Sequence, residues 1–186
     1  QTISTLQAIL SRTIKEDAAQ KHISALASAV NTMEGMLHSL LDINKLESGS
    51  ITPELTDFPI ASLLARLRSE FSYLAGEKNL ILRIPPSKAI VRSDPHLLQD
   101  ILQNFVTNAM KYTDQGKRLV GCRRRGDVLR VEVWDTGPGI AENERQRIFD
   151  EFYRIDTSVR DSKRGLGLGL SIAQRLAQLL EHPLDV

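Results

Sequence analysis

Apolar residues first recur at helical spacing as Ile3, Leu6, Leu10 and Ile14, which predicts a helix from Gln1 to about Asp17. A polar break from Lys15 to Gln20 precedes a second helix, in which Ile23, Leu26, Val30, Met33, Leu37, Leu40 and Asn44 alternate steps of three and four. That is a heptad seam. Met36, Leu41 and Ile43 widen it, so the pattern predicts an antiparallel hairpin pairing with a second copy as a four-helix bundle. The alternative is that both helices pack on the segment that follows. Gly49 suits a C-terminal cap, so residues 1–49 form one expected domain and 50–186 another.

Beyond Gly49 the periodicity changes. Thr52 to Phe58 reads as an edge strand, and Asp57 as a cap for a helix over Ile60, Leu63, Leu64, Leu67 and Phe71 ending near Glu77. Leu80 to Ile84 and Ala89 to Arg92 are strand candidates around Pro85-Pro86. Asp94-Pro95 supplies a cap and a first-turn proline for the next helix. On that helix Leu98, Leu102, Phe105, Val106 and Ala109 share one face, and Asp100, Asn104, Thr107, Asn108 and Lys111 the other. Asparagine is a poor helix former, and two of them four residues apart suggest a site. Two strands, Lys117 to Arg125 and Val128 to Asp135, meet at Gly126-Asp127 as a hairpin. A helix from Glu142 to Phe149, a basic loop, a glycine cluster, a helix from Leu168 to Leu180 and a strand beginning at Pro183 complete the expectation.

Composition narrows the classes. Of 186 residues, 41% are hydrophobic and 25% charged, which suits a soluble globular chain with a real core. A net charge of +1 gives no field that draws nucleic acid, and Arg123 to Arg125 alternate between two strand faces. No apolar run approaches the roughly 20 residues of a membrane span. The single cysteine, Cys122, reads as a small apolar side chain. The sequence does not begin with Met and reads as part of a longer, cytoplasmic arrangement whose sensor or anchor lies elsewhere.

Chemistry gathers late in the chain. Leu129, Val131, Val133 and Asp135 share one strand face, so a carboxylate ends an inward apolar row. It either accepts from a ligand, such as the exocyclic amine of a base, or closes the turn Thr136-Gly137-Pro138-Gly139 through its own backbone. Gly165-Leu-Gly-Leu-Gly169 directly before a helix is a phosphate-cradle candidate, since small residues expose backbone N–H groups at the positive helix end. Between them Arg154, Arg160, Lys163 and Arg164 form a basic loop behind Phe149, Phe152 and Tyr153.

Together these boxes resemble those of the sensor histidine kinases. Asn104-Phe-Val-Thr-Asn108-Ala-Met-Lys-Tyr is similar to the family's N box, and Asp135-Thr-Gly-Pro-Gly-Ile140 to its first glycine box. Ile148-Phe-Asp-Glu-Phe-Tyr-Arg154 is similar to its F box, and Gly165-Leu-Gly-Leu-Gly-Leu to its second glycine box. Leu41-Asp-Ile-Asn-Lys-Leu-Glu-Ser-Gly resembles the second helix of the family's dimerisation and phosphotransfer hairpin. The implied fold is α+β: that hairpin, then a two-layer α/β sandwich of the kinase, gyrase and chaperone ATP-binding type, mixed sheet against three helices.

The resemblance implies ATP and Mg²⁺ as ligands. Asn104 and Asn108 would face the metal, Lys111 a phosphate and Tyr112 the nucleotide. Asp135 would take the adenine amine, with Gly137, Gly139 and Ile140 shaping its pocket. Arg154, Lys163 and Arg164 would reach the terminal phosphates, and Gly165, Leu166, Gly167 and Leu168 would line the triphosphate. Leu166 stands where the family often has Thr or Ser, so phosphates there rely on backbone N–H. Hydrolysing members of the same superfamily carry Glu where Asn104 sits, so the resemblance implies a kinase that spares ATP from water. None of His22, His38, His96 and His182 has the acceptor's sequence pattern, so the acceptor is expected upstream of Gln1. The partners implied are a second copy and a response-regulator receiver domain; the other reading is a non-catalytic module that binds nucleotide and dimerises.

Overall fold

In the computed structural model, which describes residues 17–78, 80–113, 115–155 and 166–186, Asp17–Glu47 form one helix, α1. The expected polar break is corrected at Asp17 to Gln20, which are helical: alanine and glutamine are strong helix formers, and polarity alone ends no helix. Residues 1–16, the other arm of the expected hairpin, lie outside the described residues. Along α1, Leu26, Met33, Leu37 and Leu40 of the heptad seam are exposed. The chain divides into two compact units after Asn44, and the second carries all that follows.

Strand β1, Thr56–Pro59, pairs antiparallel with β3, Ile90–Ser93, with Asp57 opposite Arg92. Asp57 is therefore a strand residue and not the expected cap. Helix α2, Ile60–Glu77, starts from Pro59, whose ring fixes a helix-compatible φ, and Ile60 N–H donates to Ala89 O at 3.0 Å. Strand β2, Ile81–Arg83, runs parallel to β4, Lys117–Arg125, which pairs antiparallel with β5, Val128–Asp135. The mixed sheet is thus as expected in its pairing senses, but the strands form two sheets, β1-β3 and β2-β4-β5.

Two late elements are corrected. Glu142 to Phe149 is not a continuous helix but two 3₁₀ turns, Glu142–Glu144 and Arg147–Phe149, of which only Ile148 is buried. One apolar side chain gives an α-helix no face to bury. Pro183 to Val186 form no strand; Asp185 instead pairs with Arg130 at 2.9 Å, and His182 Nε2 hydrogen-bonds Ser93 Oγ at 2.9 Å.

Helix α3, Pro95–Tyr112, packs against α2, against α4, Gly169–Leu179, and on β4 and β5. Its buried Leu98, Ile101, Leu102, Val106, Ala109 and Met110 fill that junction, each large aliphatic contributing about 1.5–3 kcal/mol. Phe105, expected with them, is half-buried.

Both ends of α3 are held by charge. At its start the buried Asp94 accepts from His96 N–H at 2.9 Å and Leu97 N–H at 3.0 Å through Oδ1, and from Glu54 N–H at 2.9 Å through Oδ2. At its end Arg118 Nε donates to Ala109 O at 2.9 Å and Arg118 Nη2 to Thr113 O, while Lys78 Nζ donates to Met110 O at 3.1 Å. A carboxylate at the positive pole and two cations at the negative pole both favour the helix.

Burial pushes the Asp94 carboxyl up, but the three backbone N–H donors outweigh it and hold the group below its ordinary 3.8. A depressed folded-state pKa means stability present above the unfolded value and lost as pH falls through the folded one. Asp94→Ala is expected to cost about 1–2 kcal/mol in urea unfolding at neutral pH, with the gap from wild type closing as Asp94 protonates in acid.

Candidate functional site

Asp135 closes β5 beside the end of α3. Its Oδ1 accepts from Gly137 N–H at 2.7 Å and from Thr113 Oγ1 at 3.2 Å. The turn-closing reading of the sequence is therefore the one that this geometry bears out. One oxygen ties the glycine turn, and Oδ2 carries no hydrogen bond among the described residues, leaving it for a donor on a ligand. Gly137 has no room for a side chain: a Cβ there would stand 2.7 Å from Asp135 Oδ1, 2.9 Å from Tyr112 O and 3.1 Å from Thr113 Oγ1. Thr136 Oγ1 accepts from Lys117 N–H at 3.2 Å, which fastens the same turn to the start of β4. Gly139, with open space where a Cβ would stand, and the half-buried Ile140 carry the turn onward.

The second half of the site lies where α3 meets α4. Asn104 is half-buried, and its Nδ2 donates to Asp100 O at 3.0 Å, which turns Oδ1 outward from α3. A Cβ on Gly169, the first residue of α4, would lie 2.6 Å from that Oδ1. Leu168 at the N-cap of α4 offers no side-chain cap, so the first-turn N–H groups are unanswered by a capping side chain beside an amide oxygen. Asn108 follows one turn along α3, also half-buried. Both asparagines offer hard oxygen donors of the kind Mg²⁺ takes together with phosphate and water. Among the described residues no three His, Cys, Asp or Glu side chains gather as a metal cage.

Lys111 and Tyr112 close the last turn of α3, with the ammonium 5.2 Å from the ring centroid. Gly167 has φ +77°, and a Cβ there would meet Tyr153 O at 2.7 Å, so glycine alone fits. This joins the second glycine box to the end of the F box. Tyr153 is held in turn by its hydroxyl's bond to Glu144, with Arg147 4.3 Å from the ring centroid. Leu166 is half-buried and Leu168 buried, with Leu168 O accepting from Ser171 Oγ at 2.8 Å. Arg154 is exposed, and no hydrogen bond joins it to either half of the site among the described residues. Lys163, Arg164 and Gly165 lie outside the described residues. Cys122 is half-buried, and burial pushes its thiol up, which fits an unreactive side chain.

Three contributors were given no site role by the sequence: Thr113, Lys78 and Arg118. Thr113 directly follows the N box already singled out. Strand alternation places Arg118 in the inward row with Val120, the signal that also flagged Asp135. Lys78, from the end of α2, leaves no local signal.

Residues 93–186 match the family described as "Histidine kinase-, DNA gyrase B-, and HSP90-like ATPase". Among curated proteins, the chain is 31% identical over 173 residues to sensor histidine kinase RcsC of Escherichia coli, covering 89% of this chain and 18% of the relative. It is 32% identical over 189 residues to sensor histidine kinase AtsR of Burkholderia thailandensis, covering 98% of this chain and 31% of the relative. The chain thus spans less than a third of either. Among solved structures, full-length ShkA in complex with AMPPNP superimposes with a TM-score of 0.74 at 26% identity, covering 97% of this chain and 41% of that one.

The tight corner at Gly137 is open to a direct test. Gly137→Ala must displace the carboxylate or the Tyr112 carbonyl, and is expected to weaken adenine-nucleotide binding about tenfold, ~1.4 kcal/mol, in a fluorescence titration. Gly121→Ala, where the nearest atom to a Cβ is 4.0 Å away, should leave binding unchanged.

Proposed function

The chain belongs to the histidine kinase-, DNA gyrase B- and HSP90-like ATPase family, as the ATP-binding catalytic domain of a sensor histidine kinase, and from that premise we propose that the whole protein passes the γ-phosphoryl of ATP to a histidine. From there it goes to an aspartate of a response-regulator receiver domain.

The observation that carries this reading is Asn104, an amide with its oxygen turned to the uncapped start of α4. An amide oxygen can hold Mg²⁺ but accepts no proton at neutral pH, so water at this place is not activated. A neutral imidazole needs no such activation, and positioning with charge neutralisation carries the transfer. In this assignment Asp135 Oδ2 accepts from the adenine amine, and the turn at Gly137 and Gly139 holds the ring. The first-turn N–H groups of α4 cradle the phosphates, and Asn104 with Asn108 holds Mg²⁺, which supplies charge neutralisation when bound. Lys111, Arg154, Lys163 and Arg164 are assigned to the phosphates and Tyr112 to the nucleoside.

None of the four histidines fits the acceptor. Among the described residues His96 lies in the first turn of α3, and His182 is bonded to Ser93. The acceptor is therefore assigned to a segment upstream, on the other arm of a hairpin with α1. Exposed Leu26, Met33, Leu37 and Leu40 give α1 a seam that a second copy would cover, so the hairpin is the homodimer contact, in the cytoplasm.

A chain extended upstream to include the acceptor tests this. It should sediment as a dimer and form an acid-labile phosphoryl label from ATP, and Asn104→Ala should cut labelling at least about tenfold. A dimer that binds ATP and never labels would instead mark a nucleotide-binding module that signals by conformation.

A further inference from the structure

We propose that Arg118 is a positioning residue that sets base selectivity, by holding Thr113 so that its hydroxyl fixes the Asp135 carboxylate. This rests on the assignment of Asp135 Oδ2 to the adenine amine.

Arg118 and Asp135 stand directly opposite each other in the β4–β5 register, so both side chains leave the same face of the sheet. Arg118 is 1% exposed. Its Nε donates to Ala109 O at 2.9 Å and its Nη2 to Thr113 O, two carbonyls at the end of α3. A planar guanidinium fork fixes angle as well as distance, which a single ammonium cannot do. Thr113 is the residue at which α3 stops, extended at φ −119° and ψ 114°, and it is itself buried. With its carbonyl held on one side, its Oγ1 donates to Asp135 Oδ1 on the other at 3.2 Å.

Gly137 N–H bonds the same oxygen at 2.7 Å. Two donors on Oδ1 select one orientation of the carboxylate and turn Oδ2 to the ligand. Rotation about the last torsion of an aspartate is otherwise broad, so losing the Thr113 bond lets the plane of the carboxylate swing away from the orientation that both donors fix. Arg118 thus acts through Thr113, and it sets the angle at which the carboxylate meets the base.

The probes are ATP and purine riboside triphosphate, which carries hydrogen where adenine carries its amine. Their affinities are compared by competition in wild type, Thr113→Val, Arg118→Lys, Arg118→Met and the Thr113→Val/Arg118→Lys double variant, with thermal melts alongside. Wild type should prefer ATP by about tenfold or more, because an analogue lacking the amine leaves Asp135 Oδ2 without its donor. Thr113→Val should remove most of that preference while changing affinity for the analogue less than about twofold. Arg118→Lys should lose part of it, Arg118→Met more, and the double variant should be no worse than Thr113→Val alone, the signature of one shared path. If Arg118→Met does not fold, the Thr113→Val and Arg118→Lys pair decides alone.

A purely structural role would weaken both nucleotides together and keep their ratio, and that result overturns the assignment to Arg118. Additive losses in the double variant do the same. A wild-type chain that binds both nucleotides equally overturns the adenine reading of Asp135, and the role of Arg118 with it.

Discussion

The carbonyl end of α3 is buried, and buried carbonyls need donors. A helix leaves its last carbonyls without intrahelical partners, and in a wet terminus water supplies the bonds. Here Lys78 and Arg118 supply them at Met110, Ala109 and Thr113. The start of the helix is held as firmly by Asp94, which also reaches back to Glu54. The charges match the helix dipole at both poles, so electrostatics and hydrogen bonding agree on one placement. Breaking either end leaves a buried polar group unmet, which costs more than the net worth of the bond itself.

From that placement the two halves of the site follow. Arg118 comes from β4 and Asp135 from the end of β5, so the strand pair that closes α3 also carries the acidic corner. Asn104 lies on the same helix, against the first residue of α4, with Asn108 one turn along. One element therefore joins the acidic corner at Asp135 to the start of α4. Gly137 and Gly169 are the contacts at which the neighbouring segments come closest to it, each with less than 3.0 Å for an added Cβ. Close packing thus accounts for glycine at 137, 167 and 169, while Gly139 has open space and is required instead by its φ of +73°.

Much of this was legible in the sequence because it is local. Asp94-Pro95 announces the start of α3, the 3.6-residue period separates its core face from Asn104 and Asn108, and strict alternation around Gly126-Asp127 sets the β4–β5 hairpin. What failed was also local in appearance but decided from afar. Asp57 looked like a cap until β3 claimed it for a strand, and Glu142 to Phe149 read as a helix but has too little apolar surface to bury. Lys78 was invisible for the same reason, and Arg118 was passed over although alternation put it in the inward row. A basic residue in a strand, or just past a helix, ordinarily reads as solvated, and the carbonyls that draw these two inward belong to another element.

The central claim is that one helix presents a metal-facing amide pair while the neighbouring turn reads the base, and the two are separable in binding. ATP affinity with and without Mg²⁺, measured by calorimetry in wild type, Asn108→Ala and Asp135→Ala, separates them most directly. The account predicts that Asn108→Ala abolishes most of the gain due to Mg²⁺, and that Asp135→Ala weakens binding equally in its presence and absence. Affinity unchanged in both variants would contradict it.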